Sequence, residues 1–572
     1  MSGPLKRVLV VGGAGAFGQR LVAGLAAGGA CAVLVGGRDL ARAEAVAAGI
    51  ARAHPGSRVE AVRLDAGTVT AQALADLRLA GVVDAAGPFQ EAAGGASYGL
   101  ARAAIAAGLP YVDIADGRDF VAGFPALDAA ARAAGVAALT GASSTPALSN
   151  AVLDRITAGW SALESVEVVI SPGNRAPRGL SVMRAILSYA GRPVRVRRDG
   201  AWEDRAGWGL LTRTRIAGLG PRWVSLCETP DLDILPARSP TIRTAVFRAG
   251  LELGALHLGL WLASLPVRAR LLPSLVPFAG LFLTLAGWLG GLGSDRGGMR
   301  VRAEGRDGAG APVRATWTLV AEAGDGPFVP TLPARAVVRR WLHGPPIPPG
   351  ARACLGVVDL AALEAEMARH RIATATAREA PGAPLFARAL GPAFADLPAP
   401  VRALHGGDGP GTWSGRAAVT RGTSPLAGLV ARVVGLPRAG ADQPVRVSVA
   451  RRGADEVWTR DFAGRRFRSR MRPAGPGAVI EQFGPLAFVL ALPADAEGLG
   501  MRVAGWRLGP LPLPRALAPV SAARESVDAE GRFRFDVAVR LPLAGLLVHY
   551  RGWLAPDPVP ALPADSPRDA PP

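Results

Sequence analysis

Residues 7–18, reading RVLVVGGAGAFG, constrain this 572-residue chain more than any other stretch. Val8, Leu9, Val10 and Val11 form a buried-strand run. Gly13, Gly15 and Gly18 then supply a G-x-G-x-x-G spacing, with Ala14, Ala16 and Phe17 between them. Leu21, Val22 and Leu25 continue at helical intervals. A dinucleotide site requires this order: a strand, a turn without Cβ atoms at its crowded points, and a helix whose first N–H groups face a phosphate. In a chain with 73 glycines the spacing alone is a weak signal, so its context decides.

That context is a series of strand-like apolar runs at residues 31–35, 59–64, 81–85, 111–114 and 136–139, separated by Ala- and Leu-rich segments of helix length. Together with residues 8–11 they make strands alternating with helices. The pattern predicts an α/β Rossmann domain over residues 1–145, a doubly wound parallel sheet with ligands at the carboxyl ends of its strands. The second run ends Val35-Gly36-Gly37-Arg38, where an NAD site places an acid for the ribose 2′-hydroxyl. Arg38 offers instead a guanidinium for a 2′-phosphate and for the adenine face, so NADP(H) is the expected cofactor. Asp65 closes the third run within reach of the adenine edge. In residues 82–90, VVDAAGPFQ, small Ala85, Ala86 and Gly87 let the backbone pass close to a nicotinamide ribose, and Pro88 and Phe89 shape the wall beside the ring.

The motifs GGAGAFG, VGGRD, VVDAAGPFQ, AAIAAGLPYVDIADGRDF and TGASSTPALSNAVLD, in this order over roughly the first 160 residues, resemble the saccharopine dehydrogenase-like reductases. The resemblance implies NADP-dependent hydride transfer on a Rossmann domain, with substrates that vary across the family. A short-chain dehydrogenase Tyr-x-x-x-Lys pair is excluded, because Lys6 is the only lysine. A lysine acid–base group of saccharopine chemistry has no counterpart either, which argues against an amino-acid substrate.

Residues 146–375 are expected to form an α+β substrate or dimerisation domain. A helix over 146–156 leads to a strand at 166–170. Arg178 and Gly179 precede a helix that Gly191 ends, residues 299–304 and 313–320 form a hairpin, and further helices lie at 336–342 and 360–367. Within this domain an apolar helical hairpin is expected over 246–293. Glu252 and His257 are the only ionisable residues between 250 and 265, and none is charged between 271 and 294. Pro273 and Pro277 interrupt the second run, glycines crowd its end, and Arg268 and Arg270 sit between the two runs. Three readings stay open: a buried hairpin or homodimer surface, an interfacial or re-entrant membrane contact, and a span.

Residues 386–555 change period. Phe533, Phe535, Val537, Val539 and Leu541 alternate onto one face, as do Trp458, Arg460 and Phe462, so an antiparallel β-rich C-terminal domain is expected, with a helix at 426–434. LPAPVRALH, RAAVTRGTSPLAGLVARVVGLP and LPLAGLLVHYRGWL resemble an uncharacterised domain often found after saccharopine dehydrogenase-like regions. Its inner face suits an apolar ligand or a plain packed core. Residues 556–572 read as a disordered tail.

The formal charge of +19 comes from arginines spread along the whole chain, densest at Arg465, Arg466, Arg468 and Arg470. Without aromatic interleaving this argues against nucleic acid and for anionic ligands or a membrane surface. Cys31, Cys227 and Cys354 form neither a disulfide framework nor a metal-ligand spacing. A reducing, cytoplasmic setting, peripheral to a membrane if the hairpin meets one, is the expectation, and the early first strand leaves no room for a signal peptide. His54, His343, His370, His405 and His549 have no ligand spacing, so no metal is expected, and His257 reads as a core histidine.

Hydride transfer needs orientation and a proton donor. Tyr98, opening the helix after the GPFQ loop, is the first candidate; Tyr111 and Asp113 on the next strand, Asp116 and Arg118 in its loop, and Tyr189 from across the cleft are the others. The expected function is an NADP(H)-dependent oxidoreductase acting on a small or lipid-linked carbonyl, imine or enoyl group. The alternative is a non-catalytic dinucleotide-dependent sensor or assembly protein with an apolar-ligand-binding β domain.

Overall fold

The computed structural model describes residues 5–90, 98–176, 179–379, 383–406, 412–452, 455–509, 511–542 and 544–557. Arg178 and all of the expected tail beyond Asp557 lie outside them. The chain divides into two compact units, Met1–Ala380 and Pro381–Pro572.

In the first unit the six runs become β1 (Arg7–Val11), β2 (Ala32–Gly37), β3 (Val59–Arg63), β4 (Leu79–Asp84), β5 (Tyr111–Asp113) and β6 (Ala137–Thr140). They pair in parallel in the order β6-β5-β4-β1-β2-β3, the reversal beside β1 making the switch point at which such sheets bind ligands. Val8, Leu9, Val10, Val33 and Val35 are fully buried, as strands covered on both faces require. Helix α1 (Gly18–Ala26) follows β1 and turns Leu21, Val22 and Leu25 into the core. Helix α2 (Leu40–Ala53) follows β2. A seventh strand, Gly350–Ala353, adds in parallel to β6 from far along the chain, at the end where no strand was expected.

A second, mixed sheet, of nine strands among the described residues, lies in the same unit. Its centre is Ala162–Ser171, parallel to Thr244–Ala249 and antiparallel to Gly297–Arg306. Gly297–Arg306 and Pro312–Ala321 form the expected hairpin, with Val301 opposite Trp317. The apolar segment begins later than its composition suggests, because residues 246–249 belong to the strand Thr244–Ala249, paired with Ala162–Ser171 on the sheet interior. Its helices are Gly254–Ala263 and Ala279–Trp288. Among the described residues no helix is long and apolar enough to cross a membrane.

The second unit is an antiparallel β-barrel. Its sheet, of twelve strands among the described residues, is closed by pairing Leu486–Ala491 with Gly498–Leu508, so the alternation expected of a β-rich domain wraps around an inside. Trp413, Val447, Trp458, Phe462 and Phe533 fill that inside. Helix Pro425–Val434 is present as expected, and the short helices Leu385–Leu390 and Ala399–Gly406 join the barrel core through Phe386, Val401 and Leu404. The dense arginine cluster is paired across strands, Arg466 with Asp461 at 2.7 Å and Arg470 with Asp455 at 2.5 Å.

Candidate functional site

The glycine turn is shaped by what presses on it. Gly12 has φ +73°, and a Cβ there would fall 2.7 Å from the Ala85 carbonyl, because the loops after β1 and β4 cross at this point. At Gly18 a Cβ would sit 2.1 Å from the Gly12 oxygen. Backbone therefore packs on backbone, which brings Gly13, Ala14, Gly15 and Ala16 around the start of α1. Phe17 precedes that helix without a side-chain cap, and its first turn holds no acidic residue. The result is a helix start with neither a side-chain cap nor an acidic neighbour, an end whose dipole favours an anion.

At the end of β2 the two adjacent polar residues divide their tasks. Asp39 caps α2, its Oδ1 accepting from the Arg42 N–H at 3.0 Å. Arg38 is exposed and forms no ion pair among the described residues. A carboxylate spent on a cap and a free guanidinium beside it fit a 2′-phosphate better than a bare ribose hydroxyl. Asp65 turns its carboxylate back onto the Gly67 N–H at 3.0 Å and shapes the loop after β3.

Beneath the other half of the site lies a buried acid cluster. Asp84 and Asp113 are register partners on β4 and β5, and Tyr111 projects from the same face two residues before Asp113. The Tyr111 hydroxyl lies 3.1 Å from Asp84 Oδ2 and 3.3 Å from Asp113 Oδ2. Asp84 also accepts from the Ala86 N–H at 2.9 Å, which fixes the loop carrying Ala86, Gly87 and Pro88. Asp113 accepts from Gly141 N at 2.8 Å, Thr140 Oγ1 at 2.9 Å and Ala115 N at 3.0 Å. Burial pushes Asp84 up to about 6 and, with the Asp84 charge beside it, Asp113 up to about 7.

The candidate donors are placed differently from one another. Tyr98 is buried, edge-on to Phe120 and Phe124, and its hydroxyl donates to the Phe120 carbonyl at 2.7 Å. Asp116, in the loop after β5, is exposed and its carboxylate accepts from the Gln90 amide at 2.9 Å; desolvation by the chain around it raises its carboxyl. From the facing wall Tyr189 bonds Cys227 Sγ at 2.7 Å, and the Asp116 charge raises both groups further beyond the effect of burial. Arg118 ties the two walls together, with Nε 2.6 Å from Asp233 and Nη1 donating to the Arg195 carbonyl at 2.9 Å. His257 is buried, bonded to Ser225 at 2.9 Å, and burial lowers it to about 4, in keeping with a neutral core side chain. Among the described residues no cluster of His, Cys, Asp and Glu could hold a metal ion.

Sequence reasoning did not find the cavity of about 270 Å³ that adjoins the glycine turn. Phe17 and Met183 line it with Leu256, Leu260, Phe282 and Ala286 from the apolar helices, and its polar lining side chains are Ser144 and Asp295. The long uncharged run was the available signal.

Fold and site together define a Rossmann unit of the NADP-binding type. Residues 8–150 match the family described as Saccharopine dehydrogenase NADP binding domain, and residues 397–554 match Domain of unknown function (DUF4166). The chain thus carries a saccharopine dehydrogenase-like NADP-binding domain fused to a C-terminal domain of unknown function, as its motifs imply. Among solved structures it is similar to the apo saccharopine dehydrogenase (L-Glu forming) of Saccharomyces cerevisiae, at 16% identity over 65% of this chain and 100% of that one, TM-score 0.47. FolM alternative dihydrofolate reductase 1 from Brucella suis, in complex with NADP, is 21% identical over 23% of this chain and 74% of that one, TM-score 0.19. The secretory abundant heat soluble protein of Ramazzottius varieornatus is 9% identical over 26% of this chain and 94% of that one, TM-score 0.17. No curated protein matches.

Proposed function

We propose that the protein is an NADP(H)-dependent oxidoreductase whose reaction takes place at the carboxyl ends of β4 and β5, under the wall formed by helix Leu180–Tyr189 and strand Gly220–Leu226. The observation that carries the reading is the pairing of an uncapped helix start with Arg38, while Asp39 is occupied as a cap. Bound there, the cofactor supplies a hydride. The chain's own residues then position and exclude: Gly12 and Gly18 let the backbone close up around the start of α1, Asp84 holds the Ala86 loop, and Asp113 anchors the Gly141 loop. Asp116, exposed and raised, is the group suited to hand over a proton, with Tyr189 near enough to feel its charge. Tyr98 supports this wall through its bond to Phe120.

Titration of the protein with NADPH and NADH, repeated with Arg38→Asp, tests the assignment. Preference for NADPH in the parent, abolished or reversed in the variant, is expected, since a charge-assisted contact is worth about 1.5–3 kcal/mol. Equal affinities unchanged by the substitution would overturn it.

A further inference from the structure

The helix Ala279–Trp288 carries no charged residue and Thr284 as its one hydroxyl, yet only part of its circumference is packed. Phe282 and Ala286 line the cavity beside Phe17. On its solvent side Phe278, Leu281, Leu285 and Trp288 are exposed at spacings of three and four, with Trp288 77% open, and Leu292 is exposed beyond the helix end. Leu262, Leu265 and Leu271 extend the exposed apolar surface along the first helix and the connection. Such a stripe is unusual on an unaccompanied soluble surface. Between Glu252 and Asp295 the chain has no acidic residue, while Arg268 and Arg270 lie in the connection. Arg270 is exposed and unpaired among the described residues; Arg268 donates to the Trp208 carbonyl at 2.8 Å.

One helix therefore separates an apolar outer surface from an apolar inner cavity, in a segment whose formal charges are all positive. A helix of this length does not span a bilayer, but it suffices to lie in the interface with Trp288 and the leucines among acyl chains and Arg270 at the headgroups. The cavity, at about 270 Å³, exceeds the ~150 Å³ at which an apolar void already takes up benzene. We propose that residues 254–292 form a lipid-facing gate. The outer stripe rests on an anionic membrane surface, and the inner cavity receives the hydrocarbon chain of a lipid substrate, whose head is left at the glycine-turn end. The substrate part of this assignment rests on the oxidoreductase reading; the membrane contact does not.

The test uses the full chain. Co-sedimentation is measured with vesicles of phosphatidylcholine alone and of phosphatidylcholine with phosphatidylglycerol, and cis-parinaric acid fluorescence reports occupation of the cavity. Leu281→Glu/Trp288→Glu alters the outer stripe and Ala286→Trp fills the cavity, with NADPH titration of each variant as the check on folding. The parent is expected to bind the anionic vesicles and the probe. The outer variant should lose vesicle affinity by at least about tenfold, the loss of two buried apolar side chains being worth more than that, and keep the probe. Ala286→Trp should do the reverse. Vesicle binding that is absent in the parent or untouched by the outer substitutions overturns the proposal, as does a concentration-dependent dimer that the outer substitutions dissociate. If NADPH fails to bind the parent, the oxidoreductase reading falls instead, and the vesicle result still stands or falls separately.

Discussion

Asp84 and Asp113 stand side by side because their strands are parallel and in register, and Tyr111 reaches both because strand side chains alternate. One hydroxyl proton cannot satisfy two carboxylates, so the cluster prefers to hold an extra proton. An unfolded aspartate titrates near 4, at about 3.9, whereas the folded pair sits at about 6 and about 7. The folded chain retains protons that the unfolded chain has released. The cluster's contribution to stability is therefore full below about 4 and is lost as pH rises through about 7. Thermal unfolding of Asp84→Asn should show a smaller fall in Tm between acidic and neutral pH than the parent. The asparagine still accepts from Ala86 N–H but removes the charge that raises Asp113. An unchanged slope would show that Asp84 does not hold a raised pKa in the folded chain and does not raise Asp113.

At the scale of elements, α1 is seated on helix Leu332–His343 through a buried arginine. Gly24 makes the room: a Cβ there would meet the Arg335 guanidinium at 2.6 Å. Arg335, 1% exposed, pairs with Glu366 at 2.7 Å and His370 at 2.8 Å, so the helix Leu360–Met367 is clamped to the same point. Glu366→Ala should cost roughly 3–5 kcal/mol in urea unfolding, because it strands a buried guanidinium; a loss below 1 kcal/mol would mean that water reaches the site. Both helices are legible in the apolar spacing at 336–342 and 360–367, but the clamp is not. In so arginine-rich a chain nothing distinguishes Arg335 from its solvated neighbours. Other elements were hidden for physical reasons. Gly350–Ala353 is short and lacks β-branched residues, and Leu385–Leu390 is a brief helix behind prolines. Val246 and Phe247 read as part of an apolar helical segment although they are paired in a strand. Of the candidate site, the glycine turn was legible because backbone presses on backbone at Gly12 and Gly18 and leaves no room for a Cβ. The cavity was not, since it is assembled from distant segments.

For the whole molecule, the match of residues 8–150 to a cofactor-binding family does not delimit a structural unit. Strand Gly350–Ala353 completes the first sheet and helix Leu332–His343 supports it through contacts with α1 and β4. A fragment ending at residue 150 should therefore unfold without cooperativity and bind NADPH poorly, while one ending at Ala380 should show a single sharp transition; calorimetry of the two checks this. The second unit closes its sheet into a barrel and so leaves fewer free strand edges than an open sheet of the same strands would.

The late strand also has a consequence in time. When β6 leaves the ribosome its outer edge has no partner, and the partner lies about 200 residues further on. At ~5–20 residues per second, that leaves an open parallel edge for roughly 10–40 s of synthesis. Over that interval a nascent chain with an unfinished sheet has to be kept from pairing with its neighbours, so its yield should depend on how fast it is translated and on which chaperones attend it.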